Sequence, residues 1–238
     1  MDHLEKIPAT DPTAAERKQD HIQLAFQSQV ESAFLDKRFS YEPILSAHPA
    51  ASLASFAFLG KQVQSPIWVS SMTGGTEKAY QINANLARAC KTFGMGMGLG
   101  SCRALLESDE RLKDFDFRKI IGDELPFYAN IGIAQLETLL KDNEAYKIDQ
   151  LVDKLQADGI IIHVNPLQEW LQPEGDKITE APIKTIQQFL DKTKQKVIIK
   201  EVGQGFGKES LRALVQLPIE AIEFAAHGGT HVAVCPER

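Results

Sequence analysis

The chain has 238 residues, 43% of them hydrophobic, and a formal net charge of −6. That apolar content suffices for one sizeable core, and the acidic balance argues against nucleic-acid binding, which usually goes with a basic excess. No apolar run approaches the roughly 18 residues of a membrane span, and the first residues carry no signal-peptide pattern. Three scattered cysteines, Cys90, Cys102 and Cys235, fit neither a disulfide framework nor a zinc site. A reduced, cytoplasmic protein without membrane or nucleic-acid partners is expected.

Residues 1–12 are polar and contain Pro8 and Pro12. Thr13 and Glu16 have the spacing of a capping box and predict a helix that carries Arg17, Lys18 and His21. Arg17 and His21 are four apart and share a face; from spacing alone, a solvated helix surface is the simpler explanation. Proline-broken pieces follow over residues 39–60, and Gly60 to Ser65 reads as a turn. Residues 1–65 are therefore expected to form a helical lead-in to a single domain spanning 1–238.

A rhythm then begins. Strands are predicted at Pro66 to Ser70, Gly94 to Ser101, Pro126 to Asn130, Gly159 to Val164, Lys196 to Lys200 and Ile219 to Phe224. Helices are predicted over 77–93, 133–157, 180–194 and 208–216, with a charged helical stretch after Ser101. Strands alternating with helices predict a parallel sheet. At about 30 residues per βα unit, the span from Pro66 to Arg238 holds about six units, whereas a closed (β/α)8 barrel takes about 250 residues.

The candidate chemistry lies at strand ends, where ligands bind in parallel α/β proteins. The most informative stretch runs from His163 to Asp176. It follows the apolar run Gly159 to Ile162, and Pro166 ends the strand because it has no N–H for the ladder. His163 and Asn165 are two apart and point to one side, with Gln168 and Glu169 following. Glu169 is a candidate Mg2+ ligand, since magnesium often takes one carboxylate together with phosphate and water; a lone solvated glutamate is the ordinary alternative. His163 alone would be an ordinary hydrogen-bonded core histidine. Gly94, Gly96, Gly98 and Gly100 share a strand face, with Ser101 and Arg103 following at the mouth. Either neighbouring groups pack tightly against those glycines or a flat ligand lies on them. The loop Ser70 to Thr76 offers hydroxyls to a polar cofactor edge, or an ordinary helix cap. Asn130 ends its strand. Lys200, at the end of an apolar strand, needs a partner if buried. Ala225 to Thr230 has the look of an anion-binding nest, and Gly203 to Gly207 is no Walker loop.

These pieces, taken together, resemble the type 2 isopentenyl diphosphate isomerase family. The carriers are Arg17-Lys-Gln-Asp-His21, Ser71-Met-Thr-Gly-Gly75, Gly100-Ser-Cys-Arg103, Ala129-Asn-Ile-Gly132, His163-Val-Asn-Pro-Leu-Gln-Glu169 with Gln172-Pro-Glu-Gly-Asp176, Lys200-Glu-Val-Gly203 and Gly228-Gly-Thr230, in the family's order. The resemblance implies a TIM (β/α)8 barrel of the FMN-dependent type and interconversion of isopentenyl and dimethylallyl diphosphate. It also implies reduced FMN, NADPH as reductant, Mg2+ on the diphosphate, and assembly into a homo-oligomer. Carried over by residue, Arg17, Lys18, His21, Ser101, Arg103 and Gln168 would bind substrate. Ser71, Met72, Thr73, Ser101, Asn130, Lys200 and Thr230 would contact FMN. His163, Asn165 and Gln168 would line the reacting centre, and Glu169 would hold Mg2+. The reduced flavin would itself move the proton.

The family continues for about two more βα units, whereas His231 to Arg238 does not read as that continuation. A truncated or frame-shifted product is expected, with strands near Ile67 and Ile222 left as edges and with weak FMN binding. Two other readings remain. One is a different FMN-dependent barrel enzyme such as a 2-hydroxy acid oxidase, and the other is an inactive remnant.

Overall fold

The computed structural model describes residues 44, 45, 54–70, 74–173 and 175–226. Met1–Ala50 and Ala51–Arg238 form separate compact units. The part of the expected lead-in from residue 54 onward therefore belongs to the barrel unit. The helix expected at Thr13 lies outside the described residues.

The barrel unit opens with a hairpin, β1 (Phe56–Phe58) and β2 (Lys61–Val63), rather than the open turn expected at Gly60 to Ser65. Leu59 and Gly60, with φ of 51° and 80°, make the two-residue connection, and positive φ at both positions matches the twist of the strands. Six parallel strands follow in sequential order: β3 (Trp68–Val69), β4 (Gly96–Gly98), β5 (Phe127–Gly132), β6 (Ile160–His163), β7 (Val197–Lys200) and β8 (Ala221–Glu223).

Between the strands lie α1 (Glu77–Phe93), α2 (Arg118–Ile121), α3 (Ile133–Lys141), α4 (Tyr146–Leu155), α5 (Pro166–Leu171), α6 (Pro182–Leu190) and α7 (Lys208–Leu214). Thr76 caps α1, its Oγ1 accepting from the Ala79 amide at 3.1 Å. Gly94 ends α1 in the left-handed region at φ 64° instead of starting the strand. The charged stretch after Ser101 is not one helix. It forms 3₁₀ turns at Arg103–Leu106 and Leu112–Asp114 before α2, and Leu105, Phe115 and Phe117, which it buries, are ten and two residues apart rather than at helical spacing. The single helix expected over 133–157 is two, separated where Asn143 turns left-handed at φ 58°. Pro166, which ends the strand as expected, also starts the helix α5 at its first position, where the ring pre-sets φ.

The sheet buries its two faces differently. Met97, Leu99, Phe127, Ala129, Ile131, Ile160, Ile162, Val197 and Ile199 pack in one core with Ala87, Leu136, Ile148, Leu151, Ile186 and Phe189 of the helices. The opposite face carries a small separate cluster of Tyr128, Ile161 and Ile198, joined by Leu59, Trp68 and Ala221. Sequential strand order with helices on one face is the winding of a (β/α)8 barrel; a doubly wound sheet reverses its order and covers both faces. The sheet curls so far that Ser70, just past β3, hydrogen-bonds Glu223 of β8. Among the described residues β3 and β8 are the outer strands.

The inner face is plugged at the N-terminal ends of the strands. Phe58, Trp68 and Tyr128 stack edge to face, with centroids 5.8 and 6.1 Å apart. A Cβ on Gly96 would come within 2.5 Å of the Trp68 ring. At this level tight packing, not an open shelf, accounts for the glycine.

Beside the plug Asp158 joins three elements. Its Oδ1 pairs with Lys61 at 2.6 Å, and its Oδ2 accepts from Arg118 at 2.9 Å and from the Phe127 amide at 2.8 Å. Arg118 is buried, donates to the Gln156, Gly122 and Leu125 carbonyls, and lies 5.0 Å from the Phe127 ring centroid. Burial alone would raise the Asp158 pKa, but the Lys61, Arg118 and Phe127 bonds hold it below the usual value. Removing Arg118 would strip three carbonyls and one Asp158 oxygen of their donor and leave Lys61 as the remaining cation at Asp158. Arg118→Ala is expected to cost about 3–5 kcal/mol in urea unfolding near pH 7. The wild-type contribution stands above the ordinary aspartate pKa and is lost as pH falls through the depressed value. A loss under about 1 kcal/mol would make this network a bystander.

Candidate functional site

The inner-face positions nearest the strand C-termini are Gly98, Gly132, His163, Lys200 and Glu223, with Asn130 one step below Gly132 on β5. His163 and Lys200 are register partners on β6 and β7. Lys200 is 5% exposed. Its ammonium donates to the Glu201 carbonyl at 2.7 Å and lies 3.6 Å from the Glu223 carboxylate. The partner that the sequence demanded for a buried lysine is thus present. Glu201 steadies the bend that follows, its Oε2 accepting from the amides of Gly203, Gln204 and Gly205 at 2.6–2.8 Å.

His163 Nδ1 lies 2.7 Å from Asn130 Oδ1. A carbonyl oxygen only accepts, so Nδ1 carries the proton and Nε2 is left as an acceptor. Burial, together with the nearby charges of Lys200 and Arg103, drives the imidazole pKa down to about 4. The histidine is neutral at physiological pH. Gly132 allows the ring this place, since a Cβ there would meet Nε2 at 2.9 Å.

Past β6 the chain turns at Asn165 into α5. The Asn165 side chain is buried. Its Nδ2 donates to Glu169 Oε1 at 2.7 Å and to Gln168 Oε1 at 3.1 Å. Its Oδ1 is buried without a hydrogen-bond partner among the described residues, an acceptor left for a ligand donor. Glu169 Oε2 accepts from the Asp176 amide at 2.6 Å. Gly175 is needed at the return of this loop, because a Cβ there would fall 1.9 Å from the Glu169 carbonyl oxygen.

Ser101, Arg103, His163, Asn165, Gln168 and Glu169, all named from sequence, line one cleft of about 440 Å³, a size usual for small-molecule sites. Asn130 stands one hydrogen bond behind His163, and Lys200 lies beside it on β7; neither reaches the cleft wall. Arg17, Lys18, His21, Ser71, Met72, Thr73 and Thr230 lie outside the described residues. Gly74, Gly75, Phe115, Gln135 and Gln172 complete the lining. Gln135 and Phe115 were missed. Gln135 sits in the first turn after the Asn130 strand, and that position was its only signal.

The donor set suits magnesium on a phosphate ligand better than a cage of protein ligands. Among the described residues no three His, Cys, Asp or Glu side chains converge as a metal site. Each Glu169 oxygen accepts one hydrogen bond and keeps another lone pair, which fits a cation that takes one carboxylate and fills its shell with phosphate and water. The polar layer of Asn130, His163 and Lys200, of which His163 lines the cleft, suits the polar edge of a flat cofactor, with Lys200 supplying positive charge from behind the wall.

The titration of His163 tests this electrostatic arrangement. Because its folded pKa lies below the ordinary 6.5, its contribution to stability is complete above about pH 6.5 and is lost as pH falls toward 4. Imidazole NMR should find it neutral at pH 6 with a midpoint near 4, and Lys200→Met should raise that midpoint. A midpoint at or above about 6.5 would contradict the buried, cation-flanked setting.

No protein-family model matches the chain. A mandelate oxidase mutant holding an FMN adduct overlays with a TM-score of 0.45 at 10% identity, over 71% of this chain and 49% of that one. Curated relatives are much closer in sequence. An isopentenyl-diphosphate delta-isomerase of Rickettsia felis is 37% identical over 231 residues, 95% of this chain and 66% of its own length. Those of Rickettsia akari and Rickettsia conorii are each 39% identical over 90% of this chain and 63% of theirs. The chain thus spans about two thirds of the length of these relatives, and the matched span takes in the strand ends that build the cleft. By this similarity, the chain belongs to the isopentenyl-diphosphate delta-isomerase family.

Proposed function

We propose that this chain carries the reaction centre that interconverts isopentenyl and dimethylallyl diphosphate, with reduced FMN and Mg2+ as cofactors and NADPH as the reductant. The observation that carries the reading is the single cleft in which Arg103, His163, Asn165, Gln168 and Glu169 meet. Its cationic, neutral and carboxylate groups suit a small diphosphate ester. When bound, reduced FMN supplies the centre that gives and takes the proton as the double bond moves.

The chain's own residues bind and orient. Glu169 holds Mg2+ against the diphosphate, and Asn165 keeps that carboxylate aimed through its Nδ2 hydrogen bond. Arg103, whose nearest acid Asp176 is 3.9 Å away and whose side chain is largely exposed, is available to a phosphate oxygen. Its planar fork suits that partner. Neutral His163 offers Nε2 as an acceptor without adding a second cation beside Lys200. The Lys200 ammonium stabilises negative charge on the cofactor, an effect strengthened where water is scarce. Arg17, Lys18 and His21 would add contacts to the diphosphate, and Ser71, Met72, Thr73, Ser101, Asn130 and Thr230 would add contacts to FMN.

Calorimetry with isopentenyl diphosphate tests the reading. Binding should require Mg2+ and should weaken about tenfold or more in Glu169→Gln and in Asn165→Ala, each of which removes a charged ligand or its support. Product analysis with reduced FMN should find dimethylallyl diphosphate, absent when FMN is withheld. Binding that ignores Mg2+, or flavin bleaching by a 2-hydroxy acid without NADPH, would overturn the assignment.

A further inference from the structure

The loop between α5 and α6 has no regular structure from Gly175 to Glu180, yet it carries the amide that holds Glu169. Two of its ties come from α3. Gln135 Nε2 donates to Asp176 Oδ2 at 2.7 Å. Glu137, buried at 4% exposure, accepts from the Thr179 amide at 3.1 and 3.2 Å, from the Thr179 hydroxyl and from the Glu180 amide. Lys141 ties both partners, donating to Glu137 and, at 2.6 Å, to Thr179 Oγ1.

A carboxylate is expensive to bury unless its lone pairs are filled. Here they are filled by backbone amides with no helix or strand partner, so the loop and the acid satisfy each other. We propose that Glu137 is a positioning residue for Glu169: by pinning Thr179 it fixes the loop that brings the Asp176 amide onto Glu169 Oε2. This rests on the reading of Glu169 as the magnesium ligand and extends it to a residue outside the cleft. Burial would raise the Glu137 pKa, but its bonds with Lys141, Thr179 and Glu180 bring it to about 2. The acid is ionised, and the clamp closed, at any ordinary pH.

Amide hydrogen exchange and metal titration on the full chain test the proposal. In Glu137→Ala, exchange at Thr179 should rise about tenfold or more, the consequence of losing charge-assisted bonds. Exchange at Asp176 should rise with it, although Glu137 does not touch that residue. Mn2+ affinity, measured with inorganic diphosphate present, should fall by a similar factor. Glu137→Asp, which keeps the charge and withdraws it by one methylene, should move all three readouts the same way in a chain that stays folded. Glu137→Gln, which keeps one acceptor oxygen for the Thr179 amide but turns an NH2 toward the donors at the other, should recover part of the loss. Exchange at Asp176 unchanged in both Glu137→Ala and Glu137→Asp would overturn the proposal. So would loosened exchange with undiminished Mn2+ affinity. Failure of the wild-type chain to bind Mn2+ with diphosphate, with the exchange coupling intact, would instead remove the magnesium reading of Glu169 on which the proposal rests.

Discussion

A histidine and a lysine lie side by side at the C-terminal end of a buried sheet, and the site is organised around an imidazole that burial keeps neutral. His163 and Lys200 occupy paired positions on adjacent strands. The Lys200 amine faces Glu223 and donates to the Glu201 carbonyl. His163, deprived of water and set next to that charge, gives its proton up. The neutral ring then has one donor, spent on Asn130, and one acceptor free. Burial first, and then the cations that the fold sets beside it, keep the imidazole neutral before any ligand arrives.

The two ends of the sheet have separate tasks. At the N-terminal end the inner face is closed by Phe58, Trp68 and Tyr128, and Lys61, Arg118 and Asp158 join the hairpin to the strand starts. Above the plug the inner face turns polar within one step of two residues, from Tyr128 to Asn130, Ile161 to His163 and Ile198 to Lys200. Polar groups are tolerated at that depth because they partner one another or face the cleft.

Glu169 shows how the cleft is aimed. Proline at the start of α5 turns the chain directly into a helix, and its first turn carries Gln168 and Glu169 beside Asn165. Gly175 then lets the loop fold back against the Glu169 backbone. Asn165 steadies one carboxylate oxygen and the Asp176 amide the other. A carboxylate held at both oxygens meets a cation with little reorganisation, which is what a precise site requires.

The βα rhythm, the helix over 77–93 and the ends of the inner strands were legible from residue order, because strand alternation, helix caps and apolar runs are local signals. So was the stretch from His163 to Asp176, since its polar residues follow a buried strand directly. The four glycines from Gly94 to Gly100 were ambiguous. Gly94 proved to be a helix cap, and Gly96 makes room for Trp68 of the neighbouring strand, a contact that no spacing on its own strand announces. The break at Asn143 and the helix after Pro166 have local signals, Asn in the left-handed region and Pro at a first helical position, that apolar periodicity alone does not register. Gln135 and Glu137 became visible only in three dimensions. Their partners lie 41 and 42 residues away in the loop before α6. The sequence by itself determined which strand ends carry polar side chains. Tertiary structure decided which of those groups touch, which are charged and what holds them, because those properties arise between segments that meet only when the sheet curls.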